Sequence, residues 1–129
     1  TGAVYEAMRA SDLMLITSGT ATLEAACLGT PMIVVYKMSR LSWHILRTIV
    51  KLDLSGLPNV IAGREVVPEL LQDAVESASI TPIALELLQD ARKRETQLEV
   101  LRNVCQQLGT HGAVERTARL ILSHLNPAI

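Results

Sequence analysis

An α/β fold with a parallel sheet of few strands and a helical C-terminal region is what this sequence predicts, and three observations carry the prediction. The runs Leu13-Met14-Leu15-Ile16 and Met32-Ile33-Val34-Val35 are apolar without alternation, the pattern of strands covered on both faces of a parallel sheet. Between them a turn of small residues, Ser18-Gly19-Thr20, opens a helical stretch that Gly29 stops, with Pro31 soon after. Strand, turn, helix and strand make one βαβ unit, the building block of a Rossmann-like sheet. From Pro68 onward the pattern turns helical.

Taken in order, Val4 to Ala10 reads as a short helix closed by Ser11-Asp12. A strand follows at 13–16, a helix at 20–28, a strand from Met32 to Tyr36 and a helix at about 40–51. The turn-prone Leu57-Pro58-Asn59 then leads into Val60-Ile61, expected as a very short third strand. Pro68-Glu69 opens one helix and Thr81-Pro82 another, because Pro is favoured at the first helical position. Residues 83–108 form one bent helix or two, Gly109-Thr110-His111-Gly112 interrupts, and Ala113 to Leu125 is a last amphipathic helix with Val114, Ala118, Ile121, Leu122 and Leu125 on one face. Two or three strands are too few for a doubly wound domain, and the opening helix has no strand before it. The expectation is the final portion of a Rossmann-like domain over 1–108, with 109–129 a C-terminal helix that packs on a partner domain or chain. The first strand then presents an unpaired edge, so homo-oligomerisation through that edge or the C-terminal helix is expected.

Composition narrows the function classes. The 129 residues are one domain's worth of chain or a piece of a larger one, and 49% hydrophobic content suffices for a packed core. Trp43, Tyr5 and Tyr36 are the only aromatic residues, too few for a surface that stacks single-stranded bases. A net charge of −1 argues against a phosphate-backbone binder, so nucleic acid is not expected as a partner. No apolar run approaches the ~20 residues that cross a bilayer, and the N-terminus does not read as a signal peptide. Cys27 and Cys105 fit neither metal nor redox spacing and are expected as reduced structural thiols of a cytosolic protein. His111 and His124 have no partner at ligand spacing, so neither metal nor cofactor is expected.

The turn carries the chemistry. Ser18, Gly19 and Thr20 sit where a strand's carboxyl end meets a helix N-terminus, so their N–H groups and hydroxyls suit an anion such as a diphosphate. The plain alternative is an ordinary turn with Ser or Thr capping the helix. Glu24, one turn further on, is flanked by Ala21, Leu23, Ala25 and Ala26. A charge in so apolar a helix needs a partner, and sugar hydroxyls would supply one; the alternative is a surface Glu favoured by the helix dipole. Asn59 is either a turn former or a ligand contact, and Arg64 either a solvated loop charge or an anion clamp.

A second feature is basic. Residues 37–51 contain Lys37, Arg40, Arg47 and Lys51 and no acidic residue. On a helix Arg40, His44, Arg47 and Lys51 share one stripe, with Leu41, Ile45, Leu46, Ile49 and Val50 opposite and Trp43 at the edge. Such a helix either packs on the sheet with a solvated basic face or offers anionic lipid head groups and substrate phosphates a patch worth ~1 kcal/mol per basic residue.

Three segments resemble the C-terminal domain of the lipid-A-disaccharide synthase family: 10–31 around Ser18-Gly19-Thr20-Ala21-Thr22-Leu23-Glu24-Ala25; then Val50-Lys51 with Leu57-Pro58-Asn59-Val60-Ile61-Ala62-Gly63-Arg64 and Val67-Pro68-Glu69-Leu70-Leu71-Gln72; and the weaker Gly112-Ala113-Val114-Glu115-Arg116-Thr117-Ala118. The first pattern is shared with many UDP-sugar transferases and epimerases, which remain alternatives, as does a non-catalytic membrane-surface or self-association module. The second is much narrower. The resemblance implies a two-domain glycosyltransferase of type B that inverts the anomeric centre. It joins a UDP-diacylglucosamine donor to an acylated phospho-sugar acceptor, diacylglucosamine 1-phosphate, and works as a peripheral enzyme at the cytoplasmic face of the bacterial inner membrane. It assigns Ser18, Gly19, Thr20, Glu24, Asn59 and Arg64 to the UDP-sugar, with Arg40, Trp43, His44, Arg47 and Lys51 as candidate lipid or phosphate contacts. The catalytic base is expected in an N-terminal half that this chain lacks, so the chain alone is expected to be inactive.

Overall fold

Strands form where the apolar runs predict them. β1 (Met14–Ile16) pairs in parallel with β2 (Met32–Tyr36), Met14 opposite Met32 and Ile16 opposite Val34. The structure, a computed structural model, describes residues 2–49, 54–109 and 112–125, with backbone alone at 46–49. A third strand, β3 (Glu69–Leu71), pairs in parallel on the other flank of β2, Val34 opposite Glu69 and Tyr36 opposite Leu71. The order β1-β2-β3 makes β2 central, and its Met32, Ile33 and Val34 are fully buried, so both of its faces are covered. Among the described residues β1 has a strand neighbour on one side only, as expected.

The helices follow from their caps and small residues. α1 (Val4–Ala10) precedes β1, and its last turn is tied down by the Thr30 hydroxyl, which donates to the Met8 carbonyl at 2.8 Å. α2 (Ala21–Leu28) ends at Gly29 in the left-handed conformation, φ 74°, where glycine alone avoids a Cβ penalty. Its buried residues are Thr22, Ala25 and Ala26, small enough to lie close on the sheet. Met8, Ile16, Ala25, Ala26, Met32, Val34, Val67 and Leu101 form the core. α3 (Arg40–Ile49) starts from Ser39, whose Oγ accepts the Ser42 N–H at 3.1 Å. The expected continuation to Lys51 lies outside the described residues.

Three expectations of secondary structure are corrected. Residues 57–61 are not a turn and a strand but α4 (Leu57–Ala62), with extended Gly56 before it, Pro58 in its first turn and left-handed Gly63 after it. Glu69-Leu70-Leu71, read as a helix start, is β3. Those residues are good helix formers, but tertiary pairing decides: Asn59 Oδ1 accepts the Val66 and Val67 N–H groups and holds the approach extended, and the Pro68 carbonyl accepts the Val34 N–H at 2.8 Å. Pro68, just before β3, offers its carbonyl and needs no N–H there. α5 (Ser77–Gln89) begins before Thr81-Pro82 and carries Pro82 inside it; extended Glu76 starts it by accepting the Ser79 and Ile80 N–H groups.

α6 (Ala91–Gln107) is separate from α5, and its Asp90 cap accepts the Arg92 and Lys93 N–H groups. Gln97, Leu101 and Val104 form its buried stripe. α6 packs against α2, α4 and α5, and Cys105 on it is joined by a disulfide to Cys27 on α2. That corrects the expectation of two free thiols: the helical stripe of α6 brings two distant cysteines to a Cα separation of 5.6 Å, within bonding reach. α7 (Ala113–Leu125) leaves Val114, Ile121, Leu122 and Leu125 exposed. No helix among the described residues is long and apolar enough to cross a membrane.

Candidate functional site

Parallel strands put all their carboxyl ends on one edge, and three segments gather there: the β1–α2 turn, the 37–39 link into α3, and Gln72 after β3. Open α/β sheets bind ligands in the crevice along this edge.

The turn is built by Gly19, whose φ of 151° suits glycine and few others. The Gly19 carbonyl accepts both the Thr22 hydroxyl at 2.6 Å and the Thr22 N–H at 3.1 Å. Thr20 does not cap α2: it has helical φ and ψ and makes no side-chain cap bond. Among the described residues no protein acceptor takes the N–H groups of Gly19, Thr20 or Ala21. An α2 N-terminus with unclaimed donors and a partial positive charge is what an anion needs. Glu24 is half-buried on α2, and its carboxylate has no protein partner among the described residues. Ser18 faces a different way, its Oγ donating to the Ser55 carbonyl at 2.6 Å.

The remaining expected residues fall in different places. Asn59 is fully buried, and its amide is consumed within the protein: Oδ1 accepts from Val66 and Val67 N, and Nδ2 donates to Val67 O and Glu69 Oε1. Its side chain thus has a framework part. Arg64 is exposed past the C-terminal cap of α4, at the other end of that helix from the Ser55 that Ser18 holds. Arg40 and His44 are exposed on α3 and Trp43 is half-buried; the Arg47 side chain and Lys51 lie outside the described residues. Leu41 and Ile45 of α3 are 74% and 52% exposed, so these two apolar side chains are not packed on the sheet.

Sequence reasoning passed over Ser55 and read Glu69 and Gln72 as the start of a helix, where Glu is a routine first-turn residue. The Glu69 carboxylate accepts the Ser55 N–H and hydroxyl, the Gly56 N–H and the Asn59 amide. Gln72, in the left-handed region at φ 54°, accepts the Met38 N–H at 2.7 Å and donates to the Met38 carbonyl at 3.2 Å, which pins the link into α3. Glu69 and Gln72 both stand in the narrow run at 57–72, the one signal that marked them. Among the described residues no group of His, Cys, Asp and Glu side chains is arranged to hold a metal.

A parallel sheet, a glycine turn and an uncapped helix N-terminus at the carboxyl edge define a Rossmann-like α/β unit. The family model for Lipid-A-disaccharide synthetase matches residues 1–122, and the chain belongs to that family. It is 48% identical over 117 residues to a lipid-A-disaccharide synthase of Sulfurihydrogenibium sp. (strain YO3AOP1), covering 91% of this chain and 30% of the relative. To the enzyme of that name from Syntrophus aciditrophicus (strain SB) it is 43% identical over 122 residues, 95% of this chain and 32% of the relative. The chain thus spans about a third of the length of these curated relatives.

Proposed function

We propose that this chain is the UDP-sugar-binding portion of an inverting glycosyltransferase that joins UDP-diacylglucosamine to diacylglucosamine 1-phosphate, forming the disaccharide of lipid A and releasing UDP. Membership of the family supports this over other UDP-sugar transferases and epimerases. One observation carries the site: among the described residues the α2 N-terminus is uncapped, with Gly19, Thr20 and Ala21 N–H groups unclaimed, and the half-buried Glu24 carboxylate stands unpartnered on the same helix. The N–H groups receive the diphosphate, and Glu24 accepts hydrogen bonds from the ribose hydroxyls. The enzyme works as a peripheral protein at the cytoplasmic face of the inner membrane, where exposed Leu41 and Ile45 beside Arg40 suit an anionic lipid surface or the acceptor's phosphate.

Titration of the chain with UDP, followed by amide NMR, tests the site. Shifts centred on residues 18–24 are expected, and Glu24→Gln weakens binding about tenfold, the scale of a hydrogen bond to a charged group. Absence of shifts at millimolar UDP, or shifts centred elsewhere, defeats this assignment.

A further inference from the structure

We propose that Glu69 is a positioning residue for the turn at residues 18–20, acting through Ser55. The inference builds on the UDP-site reading but rests on contacts within the protein. Glu69 Oε2 accepts the Ser55 N–H and the Ser55 hydroxyl, each at 2.8 Å. Oε1 accepts the Gly56 N–H at 2.7 Å and Asn59 Nδ2 at 2.6 Å. The lone pairs of an ionised carboxylate are filled by such a set, so the group fixes the 55–56 backbone in one place. The Ser55 carbonyl, fixed in this way, accepts the Ser18 hydroxyl at 2.6 Å. A hydrogen-bonded line therefore runs from β3 through the loop before α4 to the turn that follows β1.

Two details show that the line depends on a carboxylate at close quarters. A Cβ on Gly56 would lie 2.8 Å from Glu69 Oε1 and 3.2 Å from Val34 Cγ2, so a side chain there would drive the carboxylate away. A glutamine at 69 cannot replace the glutamate, because either orientation of its amide sets an NH2 group against a backbone N–H, that of Ser55 or that of Gly56. Donor then faces donor, and the loop carrying the Ser55 carbonyl must shift. Asn59 braces the arrangement from the opposite side, tying Glu69 to Val66 and Val67.

The test compares Glu69→Gln with Leu101→Ala, a lesion in the buried core outside this line. Amide spectra without ligand, thermal midpoints and UDP affinities are measured for both. E69Q is expected to displace the Ser18, Gly19 and Thr20 resonances and to weaken UDP binding about tenfold or more, the scale on which groups behind a binding residue act. L101A lowers the midpoint and leaves both unchanged. Ser55→Ala, which removes one hydroxyl and keeps the backbone, displaces the same resonances by less and serves where E69Q does not fold. Wild-type positions for residues 18–20 in E69Q, or in S55A where E69Q does not fold, overturn the inference, as does equal displacement in L101A. If the wild-type chain fails to bind UDP, the proposed function falls, and the ligand-free spectra still decide the role of Glu69.

Discussion

Replacing Gln97 by leucine isolates a device at the start of β2. β3 begins opposite Val34, so on that flank Met32 has no strand beside it, yet Met32 is fully buried. Gln97, itself 5% exposed, reaches from α6 and fills the gap: its Oε1 accepts the Met32 N–H at 2.9 Å and its Nε2 donates to the Met32 carbonyl at 3.1 Å. Leucine keeps most of the volume and orphans one buried donor and one buried acceptor, each costing about 1–3 kcal/mol. The expected loss is about 2–6 kcal/mol, a large part of the ~5–15 kcal/mol that holds a domain folded. Urea unfolding followed by circular dichroism reads it as a lower midpoint at unchanged slope. Gln97→Glu adds a sign. As a carboxylate it accepts from Met32 N–H but meets the Met32 carbonyl without a donor; protonated, it regains both bonds. Its folded-state pKa is then raised, so its deficit against wild type grows as pH rises above the ordinary glutamate value near 4.3 and narrows on acidification. A Q97L variant within about 0.5 kcal/mol of wild type, the scale of an inconsequential surface change, refutes the reasoning, as does a Q97E deficit independent of pH.

Two further outcomes are expected. The Cys27–Cys105 disulfide closes a sequence separation of 78, so reduction or Cys105→Ser costs about 2–4 kcal/mol; equal urea midpoints with and without dithiothreitol count against it, and C105S should not respond to the reductant. Charge reversal at Arg40, Arg47 and Lys51 removes attraction worth ~1 kcal/mol per residue, so it should abolish co-sedimentation with anionic vesicles. Undiminished sedimentation of that variant dismisses the basic stripe as a membrane contact.

Much of the first forty residues was legible because their signals are local. Val4 to Ala10 and Met32 to Tyr36 fall where expected, and the Gly29 stop and the Gly19 turn announce themselves by residue type. The middle of the chain was less legible because the same tokens serve two structures. A proline before Glu-Leu-Leu starts a helix or a strand equally well, and the choice is made at Val34 and Asn59, far along the chain or across the sheet. The disulfide was hidden for the same reason: 78 residues separate its cysteines, and no spacing rule spans them. Within the candidate site, Ser18, Gly19, Thr20 and Glu24 could be chosen from pattern. Asn59 could be chosen as well, but its burial could not be seen, since a fully satisfied amide and a ligand contact read alike in sequence.

The two glutamines explain why the narrow run at 57–72 is more telling than the turn it supports. β2 is the central strand, and on the β3 flank its ladder is continued at both ends by side-chain amides, Gln97 on Met32 and Gln72 on Met38. β3 can therefore stay three residues long without leaving buried backbone groups unpaired. Its first residue, Glu69, is then available to hold the 55–56 loop, while Gln72, just after its last, holds the link into α3. A glycine turn before an uncapped helix is common chemistry that many nucleotide-binding sheets can present. Asn59 and Glu69 are joined by a hydrogen bond, and Gln72 holds Met38 from a left-handed backbone adopted at a cost of order 1–3 kcal/mol. Asn59, Glu69 and Gln72 thus spend their side chains on contacts within the protein, at the flank of the sheet where β3 is short.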